Sequence, residues 1–172
     1  MVNRSDGQAV VLTGAYGSGK TSMVEEIADI LEDRRVRYGA IDLDWLGWFD
    51  PGLGDHDAGR PVMLENVDAV VGNYYATGVR RFALAGAMSS KDEVDHLRAA
   101  LAMPLTVVRL TVPIDEIERR LGDSVTAGRQ GDLRAAREWI AAGRGDDVGD
   151  QVIENNGPIR ETALQIVSTL GW

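Results

Sequence analysis

Eight residues, GAYGSGKT from Gly14 to Thr21, satisfy the pattern G-x-x-x-x-G-K-[ST] through Gly14, Gly19, Lys20 and Thr21. Each part has a physical reason. Glycines let the backbone curl so that consecutive N–H groups aim at one phosphate, and a helix starting there turns its positive end on the same point. Lys20 then reaches the β- and γ-phosphates, and the Thr21 hydroxyl ligates Mg²⁺. The nucleotide-binding set is therefore Gly14, Ala15, Tyr16, Gly17, Ser18, Gly19, Lys20, Thr21 and Ser22, much of it through backbone. The competing reading is a glycine-rich turn with an incidental lysine. With glycine near 7% of residues, the full pattern arises by chance in roughly one chain in 200 of this length.

Three other groups of residues could carry chemistry. Asp42-Leu43-Asp44 places two carboxylates two residues apart; on an extended chain they face opposite ways, but at a strand end both can turn to one side. Asp44 could equally cap a helical turn that follows. Trp45, Trp48 and Phe49 come next, with His56 and Arg60 in the same excursion, either as a platform for a ring or as anchors to the core. Arg119, Arg120, Arg129, Arg134, Arg137 and Arg144 gather in one stretch of a chain whose net charge is -9. Alone, such a run reads as a solvated, salt-bridged helix pair; beside a phosphate loop it also reads as a source of guanidinium groups for phosphate.

The elements that must position these residues follow from periodicity and punctuation. QAVVLT (8–13) reads as a buried strand ending at Gly14, and 21–35 as a helix with Met23, Ile27, Ile30 and Leu31 on one face. A second strand spans 36–43. Residues 45–61 carry four glycines and two prolines and read as a loop with at most a short helical turn. Helices are expected over 62–77, 91–102, 114–121, 133–142 and 159–170, and strands over 81–88, 105–112 and 151–154. Pro158 suits the first turn of the last helix, where its missing N–H costs nothing. Strands alternating with helices predict a five-stranded parallel sheet with helices on both faces.

Composition limits the possibilities. The 172 residues, 44% of them hydrophobic, are enough for one domain with a sizeable core, so a single domain over 1–172 is expected. There are no cysteines, which removes thiolate metal sites and cysteine nucleophiles. No stretch approaches the ~20 apolar residues of a membrane span and no leader-like segment opens the chain, so a cytoplasmic protein is expected. The acidic balance opposes binding to a nucleic-acid backbone.

The chain as a whole resembles the small P-loop kinases of metabolites and nucleotides, among them shikimate kinase, gluconate kinase, adenylylsulfate kinase and the nucleoside monophosphate kinases. That resemblance implies an α/β, three-layer P-loop NTPase fold with an Arg-rich lid, here about 122–149. It implies ATP and Mg²⁺ as cofactors, with Thr21 and Asp42 serving the metal and Asp44 orienting or deprotonating an acceptor hydroxyl. It further implies Gly86 as a small residue beside the acceptor, Arg120 stacking on adenine, Arg129 as the lid arginine on the transferring phosphoryl group, and Asn155 in VIENNGP near the base. Trp45, Trp48 and Arg60 complete the expected acceptor set. The implied activity is phosphoryl transfer to a small acceptor by a monomer or homodimer. The alternative is a non-catalytic ATP-binding regulator or partner protein. A GTPase is disfavoured because no Asn-Lys-x-Asp stretch reads guanine and no Asp-x-x-Gly follows the third strand.

Overall fold

A computed structural model of the chain describes residues 3–50, 59–122 and 127–172, over 122 and 127–130 the backbone alone. The aliphatic run QAVVLT forms β1 (Gln8–Thr13), buried over its last five residues. After the phosphate loop come α1 (Lys20–Asp33), β2 (Tyr38–Asp42), the short α2 (Leu43–Leu46), α3 (Gly59–Ala76), β3 (Arg81–Ala85) and α4 (Lys91–Leu101). Then follow β4 (Leu105–Thr111), α5 (Ile114–Gly122), α6 (Ala127–Ala141), β5 (Gln151–Glu154) and α7 (Ile159–Leu170). The five strands lie in one parallel sheet in the order β2-β3-β1-β4-β5.

Period-two alternation decides which side chains meet which helices. Val11, Phe82, Leu84 and Val107 face one side with Val67 and Val71 of α3 and Leu97 and Leu101 of α4. Val10, Leu12, Ala83 and Val108 face the other, against Met23, Ile27 and Leu31 of α1 and Ile166 and Val167 of α7. A large aliphatic or aromatic side chain as fully buried as these contributes roughly 1.5–3 kcal/mol. Both helical layers are thereby fixed to the sheet.

The register sets the site. Ala85 lies level with Leu12 on one side and Asp42 on the other, so β1, β2 and β3 end on one line. Ligands of open parallel sheets bind beyond such carboxyl ends.

The elements depart from the sequence expectation where local chemistry intervenes. Strand β3 stops at Ala85, not Met88, because β1 ends at Thr13 and offers no further strand backbone. The Gly86 amide goes to Leu12 O (3.1 Å) and the Met88 amide to the Thr13 hydroxyl (2.8 Å). Helix α3 begins three residues early, with Pro61 in its first turn, where a missing N–H costs no helical bond. Helix α6 begins at Ala127, its glycines having concealed the first turns. No helix among the described residues is long and apolar enough to cross a membrane.

Candidate active site

The turn between β1 and α1 is shaped by glycines that no other residue could replace without strain. Gly14 has φ 141°, and a Cβ there would stand 2.4 Å from the Leu110 carbonyl oxygen. Gly19 caps α1 at φ 91°, and a Cβ there would meet the Asn155 amide nitrogen at 2.7 Å. The first helical bond runs from the Met23 N–H to Gly19 O at 2.9 Å. The N–H groups of Lys20, Thr21 and Ser22 consequently have no acceptor within the helix.

Lys20 lies in this turn, 8% exposed, donating from Nζ to Gly14 O (3.0 Å) and Ala15 O (3.1 Å). Burial pushes its pKa down, against the pull of Asp44, Asp42 and Asp132, which raise it. A buried ammonium held by neutral carbonyls is a cation short of an anion, and open helical amides are donors short of an acceptor. Both fit a nucleotide phosphate. Ser18 is buried with its hydroxyl unpartnered, 3.0 Å from the space that a Gly14 side chain would take. Tyr16 leans on the cluster of Ile117, Ala136, Leu133 and Trp139, so its ring joins the loop to α6, and the Lys20 ammonium sits 5.4 Å from its centre.

Asp42 and Asp44 separate in role through one change of backbone. The strand ends at Asp42, Leu43 drops into the core at 2% exposure, and α2 begins. Asp42 caps that helix, accepting the Asp44 N–H on Oδ1 (3.0 Å), while its Oδ2 accepts the Thr21 hydroxyl (2.8 Å). The cap expected as an alternative for Asp44 thus belongs to Asp42. A hydroxyl and a carboxylate oxygen in contact are hard donors suited to Mg²⁺, and the pair fits that ion. Asp44 keeps its carboxyl for the cleft. Burial, then the neighbouring Asp42 charge, push its pKa up, with Lys20 and Arg60 opposing.

That cleft, about 520 Å³, opens beside the loop. Asp44, Trp48, Arg60 and Gly86 line it together with Tyr16 and Asp132, and Met63 and Met88 lie on its walls. Trp45 does not line it; its ring lies against Trp48, tilted by 41° with centres 4.9 Å apart. Both indoles are largely exposed, at 68% and 74%, so they do not anchor the loop in the core. Arg60 is tied to Glu93 at 2.9 Å, and Glu93 also accepts the Ser89 N–H. Asn66 of α3 steadies α2 by donating to Leu46 O at 2.8 Å. The space a side chain at Gly86 would need is filled by Leu43, whose Cδ1 would be 2.8 Å away. Arg80 and Arg81 lie at the start of β3, the opposite end of the sheet. His56 falls outside the described residues.

The arginines divide. Arg120 spans the loop: Nε donates to Glu116 (2.8 Å), Nη1 to Gly17 O (3.4 Å) and Nη2 to Asn155 O (2.9 Å). Asn155, 3% exposed, turns its amide inward to Ser18 O at 2.8 Å, bracing the phosphate loop from the β5–α7 connection. Arg137 pairs with Glu118 at 2.7 Å, and Arg134 lies 4.0 Å from Glu138 on an exposed face. The Arg129 side chain falls outside the described residues. Asp132, on α6 in the stretch read only for its positive charge, is the charged cleft residue that the sequence did not reveal, and no motif marks it.

No family model matches the chain. Solved structures do. An APS kinase from Mycobacterium tuberculosis, in complex with AMPPNP and APS, superposes with a TM-score of 0.66 at 19% identity, covering 98% of this chain and 99% of that one. A gluconokinase from Sinorhizobium meliloti gives 0.61 at 20% identity, covering 96% and 94%. A shikimate kinase from Acinetobacter baumannii, in complex with shikimate, gives 0.56 at 18% identity, covering 94% and 92%. The likeness is one of fold: the chain has the α/β architecture of the P-loop kinases.

Proposed function

We propose that this chain is a phosphotransferase that moves the γ-phosphate of Mg-ATP to a hydroxyl of a small molecule bound beside Asp44. The observation that carries this reading is Asp44 on the wall of an open cleft whose neighbouring wall is Tyr16 of the phosphate loop. A protein that only bound nucleotide would need neither the cleft nor a free carboxylate in it.

The chain's own groups divide the work. Lys20 exchanges its two carbonyl partners for phosphate oxygens, and the open amides of α1 hold the same group. Thr21 and Asp42 would hold Mg²⁺, which would supply positive charge against the phosphate oxygens. Asp44 orients the acceptor hydroxyl; as its oxygen bonds to phosphorus and the bond to the ADP oxygen breaks, the proton passes to Asp44. Asp44 presents an exposed carboxylate to the cleft, where it can take that proton directly from a bound hydroxyl. Arg120, already fixed by Glu116 and Asn155, offers a guanidinium plane for the base, and Arg129 is proposed to meet charge on the transferring group.

The test is phosphoryl transfer from γ-labelled ATP to a panel of hydroxylated metabolites, nucleosides and antibiotics, with Lys20→Ala as control. Label appearing on an acceptor, and lost with Lys20, is expected. Tight, Lys20-dependent ATP binding with no labelled acceptor would favour the regulator instead.

A further inference from the structure

We propose that the cleft selects an acceptor carrying a protonated amine as well as its hydroxyl, and that Asp132 is the residue that reads the amine. The inference rests on the phosphotransferase reading and concerns the acceptor class within it.

Charge on the walls carries the argument. Arg60 is the one cation among the described residues that line the cleft, and Glu93 neutralises it at 2.9 Å. That leaves Asp44 and Asp132, whose other neighbouring cation is the Lys20 ammonium of the phosphate loop; once Lys20 turns to the nucleotide phosphate, neither carboxylate keeps a cation of its own. Asp44 is engaged by the acceptor hydroxyl. Asp132 has no ion pair or hydrogen bond among the described residues, although α6 carries arginines. Arg137 is engaged by Glu118, and Arg134 lies against Glu138. Nor does Asp132 serve α6 itself: it is the sixth residue of a helix that begins at Ala127, beyond the first turn where a carboxylate favours the helix dipole. An unpaired carboxylate facing a cleft already occupied by another repels an anionic acceptor and attracts a cation.

The aromatic groups point to the same ligand. Trp48 and Tyr16 both line the cleft, and an indole or phenol face attracts an ammonium group more than a neutral one. Trp48 also offers a broad apolar surface to the ligand's body, with the Trp45 ring tilted against it at 41°. The volume, about 520 Å³, lies in the range of small-molecule sites. The acceptor class that matches is an amino alcohol or amino sugar with one apolar face.

Three sets of hydroxyl compounds, used with γ-labelled ATP, separate the possibilities: amine-bearing (amino sugars, aminoglycosides, aryl amino alcohols), uncharged (sugars, nucleosides) and anionic (hydroxy acids, sugar acids). Transfer is expected mainly in the amine-bearing set. For the best of these, Asp132→Asn should raise the KM for the acceptor by about tenfold or more with kcat little changed. Asp132→Glu should restore part of the loss, and N-acetylation of the acceptor should make wild type and Asp132→Asn alike. Preference for uncharged or anionic acceptors, or an unchanged KM in a folded Asp132→Asn protein, overturns the inference and leaves phosphotransfer standing. Binding of ATP with no transfer in any set defeats phosphotransfer, and the amine-selective acceptor with it.

Discussion

The Thr21 hydroxyl donates to Asp42 Oδ2 at 2.8 Å while Asp42 Oδ1 accepts the Asp44 N–H at 3.0 Å, so one carboxylate joins the phosphate loop to the turn that presents Asp44. Its two duties can be separated. Asp42→Asn keeps an acceptor for the cap but removes the charge; Asp42→Ala removes both. The Ala variant should lose about 1 kcal/mol of stability in urea unfolding and the Asn variant only a few tenths. Both should lose most of the gain in ATP affinity that Mg²⁺ confers on the wild type, as read by titration with and without EDTA.

Lys20 is the clearest case of function opposed to stability. Its ammonium is buried against two carbonyl oxygens, and burial lowers its pKa. Lys20→Met removes a buried charge and keeps the aliphatic stem, so the melting temperature without ligand should stay level or rise. ATP affinity should fall by about 10- to 100-fold, the worth of a charge-assisted bond to phosphate.

Glu116 makes acid stability measurable. Hydrogen bonds from Arg119 and Arg120 hold its carboxyl down from 4.5 to about 2. The unfolded chain takes up this proton near the ordinary value while the native protein resists it. The Glu116 contribution is therefore complete above 4.5 and is lost as pH falls toward 2. The stability difference between wild type and Glu116→Gln should be largest near neutrality and shrink across that interval in urea titrations. High salt should reduce it at every pH, because the pair is accessible to solvent.

Asn155 supports the loop from below. Its amide donates to Ser18 O at 2.8 Å from a position only 3% exposed. Asn155→Ala leaves that carbonyl without its partner and should cost about 1–3 kcal/mol in unfolding free energy. It should also weaken ATP binding, although the side chain points into the loop and not toward the base.

The strands and the phosphate loop were legible because their signals are local. Alternating aliphatic residues in QAVVLT and the glycines of GAYGSGKT state their conformations within a few residues. Asp42 and Asp44 could turn to one side at a strand end, but β3 separates β2 from β1 in the sheet, and it is the resemblance to the P-loop kinases that put the pair beside Lys20. Boundaries failed where one residue has two readings. Pro61 and the glycines of α6 look like breakers until the first-turn position or the packing of α6 over Tyr16 accounts for them. Asp132 was invisible for a different reason. Its place in the cleft comes from α6 folding back over the loop, a tertiary contact with no local pattern. Asn155 looked outward for a similar reason, since an Asn-Asn-Gly turn does not reveal that Ser18 lies behind it.

Asp44 acting beside the phosphate held by Lys20 is the centre of the proposed reaction, and the rate of the chemical step in Asp44→Asn tests this most directly. In single-turnover transfer from γ-labelled ATP, Asp44→Asn should be slower by about 10²- to 10⁴-fold, the usual worth of a positioned general base. ATP affinity should stay within about threefold of wild type, as expected when only the transition-state role is lost. Transfer at an undiminished rate in Asp44→Asn would contradict the role given to this carboxylate and, with it, the reading of the cleft as the acceptor site.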